Sequence, residues 1–362
     1  EELAADFEYC YINSKIVGIG TPRLRFKNCT IMYAMMMEGV FPNPVKGRMS
    51  NTNVGRGQMG QPTNGGYLSN RDVSYSLVPA SFKGTGPGIV WDREFVDNES
   101  KLINTSLCVN GGDPADSPDP DGTIRDIGAS YFPLFDIVRV PQDYPTIQQA
   151  IDVAKNTTTK VVRVDSGTYQ ENLTLPVGVR LMGNPAQSKP VILDPDGTDT
   201  LVSIVQEGFP GPSAVSLIEH MILTKKGQAF SGKVLHAAPD FIAVLLRDVE
   251  IIDSDDNAAA ISVPGMGSQI GFVDLKLSGN DRNGSLIEFS LRNGNYQSWI
   301  KDSLFENNTN NNYLVKLDVD SWMGNLILNN ALIRNNSGGK LFANTSVVQR
   351  MDNGSDISTL LI

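Results

Sequence analysis

At 362 residues the chain is long enough to bury one large core or two modest ones. A formal net charge of -10 leaves no basic stripe to neutralise phosphates, which argues against a nucleic-acid partner and suits an extracellular protein able to attract cations. No apolar run approaches the roughly 18 residues of a membrane span, so no membrane insertion is expected, and 34 glycines with abundant Asn, Ser, Thr and Asp favour short strands and turns over long helices. Three cysteines, an odd number, do not make a disulfide framework. With Glu1 first and no leader before it, the expectation is a leader already removed or a piece of a longer chain.

In chain order, the first signal is a repeat. FEYCYI at Phe7 to Ile12 and FKNCTI at Phe26 to Ile31 match position by position 19 residues apart, the length of one short coil. Phe, Cys and Ile of each copy are expected to point inward. Cys10 then lies beside Cys29 on adjacent rungs, either as two buried thiols or within reach of a disulfide. Residues 39–70, loaded with Gly, Asn, Pro and Gln, are expected to form an inserted loop. Asp72 to Leu77 follows as a third rung.

From Glu94 to Phe132 the chain is rich in turn residues. Asp113, Asp116, Asp119, Asp121 and Asp126 are close enough in sequence to gather oxygens around Ca²⁺, with Asp119, Asp121 and Asp126 the candidate ligands. The DPDG within this run is equally a good turn.

Around Tyr144 the pattern changes. Thr146 with Gln149 three residues on forms a capping-box signature ahead of Ile147, Ala150, Ile151 and Ala154, which predicts a short amphipathic helix over about 146–155. Val161, Val162 and Val164, then Leu173, Leu175, Val177, Val179 and Leu181, predict short strands behind it.

The second half repeats countably. His220, Asp248, Asp274, Asp302 and Asn330 form a column at intervals of 28, 26, 28 and 28 residues. Apolar residues recur two before, one after and three after the column. Strict alternation slips there, so each column residue marks a corner where two adjacent side chains face outward. A second apolar strand recurs in parallel at Val234-Leu235, Ala260-Ile261, Leu286-Ile287, Leu314-Val315 and Leu341-Phe342, with polar corner loops between. Coils of 26 to 28 residues have room for three short strands, and a β-sandwich would not hold such constant spacing.

Stacked carboxylates about 5 Å apart repel, so Asp248, Asp274 and Asp302 must be solvated, compensated or cation-bound. Glu219 toward Arg247, and Glu250 toward Lys276, offer opposite charges on successive rungs. The two histidines, His220 and His236, fall in different columns and give little support to a triad or a zinc site. Trp299 and Trp322 would make a sugar-stacking platform if both face outward, or else serve as packing.

VPQDYPTIQQAID, GTYQENL and GVRLMG, in that order, resemble the opening of a right-handed parallel β-helix of the pectin lyase-like superfamily, in the branch holding pectin methylesterases and many bacterial surface proteins. The Glu94 to Phe132 stretch resembles the closing segment of bacterial secreted β-helix proteins, departing from it at Ser130 and Phe132. The resemblance implies an all-β chain with two stacks in tandem. Residues 1–137 would be the last coils and closing tail of a first β-helix, and 138–362 a second with its own capping helix.

Catalytic relatives act on acidic polysaccharides, and the esterases need paired aspartates with an arginine. Their QDT, DFIFG and LGRPW motifs are not found, nor are lyase or polygalacturonase signatures. The best substitute is Asp248 and Asp274 with Arg247. The expectation is a non-catalytic structural or adhesive rod, secreted or displayed on a bacterial surface, contacting glycans and stacking end to end; the alternative is an esterase or lyase acting on acidic glycans. Calcium is the one cofactor anticipated.

Overall fold

The computed structural model describes residues 4–9, 11–12, 23–31, 47–50, 53–54, 73–78, 90–91, 102–193, 200–206, 215–225, 232–256, 259–265, 268–282, 284–290, 297–318, 325–342 and 348–350. The chain is predominantly β, a parallel β-solenoid of about five turns, with one short helix among the described residues. No helix among the described residues is long and apolar enough to cross a membrane. It divides into two units, Glu1–Leu134 and Phe135–Ile362.

In the first unit every described strand pairing is parallel, and Phe7 registers on Phe26, Phe26 on Met49 and Met49 on Val73. Residues two beyond this line, Tyr9, Asn28 and Tyr75, have φ of 54°, 52° and 42°. This left-handed backbone turns the chain from one sheet into the next. Phe26, Cys29 and Leu77 are buried. Cys29 Sγ donates to the Lys27 carbonyl at 3.1 Å, while Cys10 lies outside the described residues. Within the stretch expected to be an inserted loop, Gly47–Ser50 and Asn53–Val54 add a full rung between those at Phe26 and Val73. Met49 takes the place of Phe there, so the side-chain pattern that marks the first two copies is absent although the register continues.

The second unit opens on the strand Val138–Val140 and the helix Ile147–Ala154. Ile147, Ala150, Ile151 and Ala154 are fully buried. Thr146 caps the helix by accepting the Gln149 amide at 3.3 Å. The first-turn amides are taken by a more distant group: Glu171 accepts from Ile147 N at 2.9 Å and from Gln148 N at 3.0 Å. A carboxylate there also meets the positive end of the helix dipole. The helix is therefore pinned by the Glu of GTYQENL on the coil beneath it.

Beyond it, strands Val161–Val164, Arg180–Gly183, Val215–Thr224, Ala243–Ile252, Gln269–Val273, Gln297–Lys301 and Asn325–Asn329 pair successively in parallel. The column residues His220, Asp248, Asp274, Asp302 and Asn330 have φ of 54°, 56°, 54°, 50° and 51°. Each bends its rung. This accounts for the slip in alternation, because Asn and Asp tolerate the left-handed region better than most side chains. The flanking apolar columns form the core: Ile218, Leu246, Phe272 and Ile300 before the bend, and Met221, Val249, Leu223, Ile251 and Leu277 after it, all fully buried.

A second bend column, Asp253, Gly279, Asn307 and Asn335, also has positive φ. Next to it runs a buried polar stack. Asn280 Oδ1 accepts the Ser254 amide at 3.1 Å, Asn308 Oδ1 accepts the Asn280 amide at 3.1 Å, and Asn336 Oδ1 accepts the Asn308 amide at 3.0 Å. Asn280 and Asn308 are fully buried, within segments expected to be polar corner loops.

Candidate functional site

The first bend column and the strand residues beside it carry a cluster of ionisable groups of the second unit. Because the residue before each bend also faces out, Glu219 and Arg247 flank His220 and Asp248. Asp248 is held on both oxygens: Oδ2 by His220 Nδ1 at 2.7 Å and Oδ1 by Lys189 Nζ at 2.7 Å. Lys189 also reaches Glu250 at 2.8 Å, and Lys276 approaches the same carboxylate at 3.6 Å. Burial alone would raise the Glu250 pKa, but hydrogen bonding to Lys189 and the charges of Lys189 and Lys276 hold it below the usual range.

Glu219 is 5% exposed and lies between two guanidinium groups. Arg180 Nε donates to Oε1 at 2.6 Å, and Arg247 Nε donates to Oε2 at 2.8 Å. Arg180 is itself fully buried. Desolvation would push the Glu219 carboxyl up, and the two arginines overcome it, so its pKa is lowered.

Asp274 differs from its neighbours. Its side chain is exposed and forms no hydrogen bond or ion pair among the described residues, and its pKa is raised, by partial desolvation first and then by the charges of Asp302 and Asp248. Lys301, 2% exposed, lies 3.4 Å from Asp302. Burial lowers its pKa against the opposing pull of Asp302 and Asp274. Asp302 is also bonded by Asn330 Nδ2 at 2.7 Å.

The structure thus stacks Asp248 and Asp274 on adjacent rungs with Arg247 beside them, as the spacing predicts. Two of these three already have partners: Arg247 is turned to Glu219, and Asp248 to His220 and Lys189. Glu219 and Lys189, which organise this flank, were legible only as one half of a charge pair and not at all, respectively.

Trp299 is 2% exposed, in register with Gly271, which registers on Leu245. A Cβ built on Gly271 would come within 2.6 Å of the indole and 2.7 Å of Leu245, so the ring lies directly on that glycine. Its surroundings favour the packing role. Trp322 lies outside the described residues.

In the closing segment of the first unit, the candidate calcium ligands bond to main-chain amides. Asp126, 2% exposed, accepts Asn110 N at 2.7 Å on one oxygen and Phe132 N at 2.6 Å on the other. Asp119 Oδ2 accepts Asp126 N at 2.7 Å, and Asp121 accepts Thr123 N at 3.1 Å and Leu134 N at 3.1 Å. These carboxylates knit the tail. Among the described residues no group of three or more His, Cys, Asp or Glu side chains is placed to hold a metal ion.

No protein-family model matches the chain, and a search of curated proteins finds none similar to it.

Proposed function

We propose that the chain is a non-catalytic extracellular rod of the pectin lyase-like type, structural and adhesive, contacting glycans on its flanks and stacking end to end. The observation that supports this reading is the engagement of outward charges from one rung to the next. Glu219 pairs with Arg247, Glu250 with Lys276, Glu288 with Lys316 and Glu306 with Arg334. Groups committed to their neighbours stiffen a stack and are poorly placed for acid–base chemistry, which needs carboxylates free to exchange protons.

One observation favours the alternative of an esterase or lyase acting on acidic glycans, namely the Asp274 side chain, which has no hydrogen-bond partner among the described residues and a raised pKa. A single assay separates the two. Pectin, alginate and related uronates incubated with the protein should yield no methanol, unsaturated ends or new reducing ends. Turnover that disappears in Asp248→Asn or Asp274→Asn would overturn the structural reading. Electron microscopy of concentrated protein tests assembly, where dispersed single particles alone would count against stacking.

A further inference from the structure

The first unit carries a cleft of about 330 Å³ between the bend at Tyr9 and the closing segment, lined by Tyr9, Asp119, Arg125, Gly128, Ser130 and Tyr131 among others. That volume is at the small end of ligand sites. Several features set it apart from an ordinary surface hollow. Tyr9 and Tyr131 are exposed, at 54% and 42%. Tyr9 also adopts a left-handed backbone that a bulky aromatic rarely takes. Its ring is covered by the Arg125 guanidinium, 5.4 Å from the centroid. Arg125 is fixed by donating Nε to the Ser117 carbonyl at 3.0 Å, and among the described residues its terminal nitrogens have no partner.

Asp119 completes the arrangement. It is 6% exposed, and one oxygen is taken by the Asp126 amide at 2.7 Å. The other oxygen has no partner among the described residues, although the side chain lines the cleft. That oxygen is not sealed off from the cleft, so it is available to accept from a ligand there. The wall between Asp126 and Tyr131 is Gly128, Ala129 and Ser130, whose small side chains leave the space open.

The ligand that fits must donate to Asp119, accept from Arg125 and present an apolar face to a tyrosine. A sugar ring does all three, through hydroxyls in its plane and C–H groups on its face. A cation would meet Arg125 in the position a cation takes over an aromatic ring. A uronate would meet Asp119 and Asp126. We propose that this cleft binds a neutral pyranose residue of a glycan, seated on Tyr131 and hydrogen-bonded to Asp119 and Arg125. The assignment rests on the adhesive reading and locates its glycan contact in the first unit.

The test is calorimetric titration of the full chain with maltotetraose, mannotetraose, chitotetraose and tetragalacturonate. At least one neutral tetrasaccharide should bind, with tetragalacturonate weaker. Tyr131→Ala and Asp119→Asn should each weaken that binding about tenfold or more, the scale expected for removing a central anchor. Asp119→Asn keeps an oxygen for the Asp126 amide and loses the free acceptor, so an unchanged melting temperature would verify that it folds. Binding that persists unchanged in both variants overturns this site and leaves adhesion standing. Preference for tetragalacturonate overturns the choice of ligand. Silence toward all four sugars counts against the site and the glycan-contacting function together.

Discussion

Asn280 donates its side-chain amide to Asn308 Oδ1 at 2.8 Å and, through the same nitrogen, to the Ile251 carbonyl at 3.1 Å. Asn308 repeats the arrangement one rung on, donating to Asn336 Oδ1 at 2.7 Å and to the Leu277 carbonyl at 2.9 Å. Replacing Asn308 with Ala orphans the Asn280 donors and the Leu277 acceptor together. The expected loss is on the order of 1–3 kcal/mol for each buried group left unpaired. Chemical denaturation should show a lower midpoint for Asn308→Ala than for Asn336→Ala, because Asn336 is only partly buried.

Glu219 sets an acid limit. Its folded pKa is depressed below the ordinary 4.5, so the stability it contributes is present above that value and is lost as pH falls through the lower folded value. Thermal melts from pH 7 to 2 should show this loss in the wild-type chain and a flatter profile in Glu219→Gln. At neutral pH the substitution leaves the buried Arg180 without its charge partner, at a cost of about 3–5 kcal/mol.

Asp274 has the opposite sign. Its folded pKa is raised above the ordinary 3.8, so the protonated form fits the column best and the ionised form costs stability once pH rises through the folded value. Asp274→Asn should raise the melting temperature at neutral pH, and most of the gain should vanish below pH 3.8. Any residual gain at low pH reports the better tolerance of Asn for a left-handed backbone. A lower melting temperature at pH 7 would contradict the crowding argument.

Asp126 holds the closing segment through two partly buried hydrogen bonds from main-chain amides. Asp126→Ala should destabilise the first unit by roughly 2–4 kcal/mol, since hydrogen bonds to a charged acceptor are stronger than neutral ones. Because these carboxylates already serve amides, addition or chelation of Ca²⁺ should leave the melting temperature unchanged. A rise with Ca²⁺ that chelator reverses would instead support the metal reading of Asp119, Asp121 and Asp126.

Gly271 tests the packing of Trp299. Alanine there would place its Cβ 2.6 Å from the indole, an overpacking expected to cost about 1–3 kcal/mol. If Trp299 instead swings out freely, Gly271→Ala will leave stability unchanged and alter tryptophan emission.

Much of the solenoid was legible because its repeat is carried by side-chain type. His220, Asp248, Asp274, Asp302 and Asn330 announced the bend, and the apolar columns around them fixed the inner face. The buried Asn280 and Asn308 were not recognised, since an asparagine bonded to the rung above looks in sequence like one in a solvated turn. The rung at Gly47–Ser50 escaped because register is a property of the backbone and Met49 carries none of the Phe signature. Partners such as Glu171 on the helix amides, or Lys189 on Asp248, join residues from different coils, and no local spacing encodes them. The cleft beside Tyr9 is of the same kind, assembled from positions more than a hundred residues apart.

The bend columns bear on how such a chain can change over time. From His220 to Asn330 the interval is 28, 26, 28 and 28 residues, yet every bend keeps the same left-handed backbone. The two residues missing between Asp248 and Asp274 are absorbed between bends, and registration of each strand on the next is undisturbed. Backbone pairing joins each rung only to its neighbours, while the Lys189 side chain reaches across one rung to Asp248 and Glu250. Duplication or deletion of one whole unit of the gene would then alter length while leaving the backbone pairing of the other rungs intact, so no condition of closure sets the number of turns.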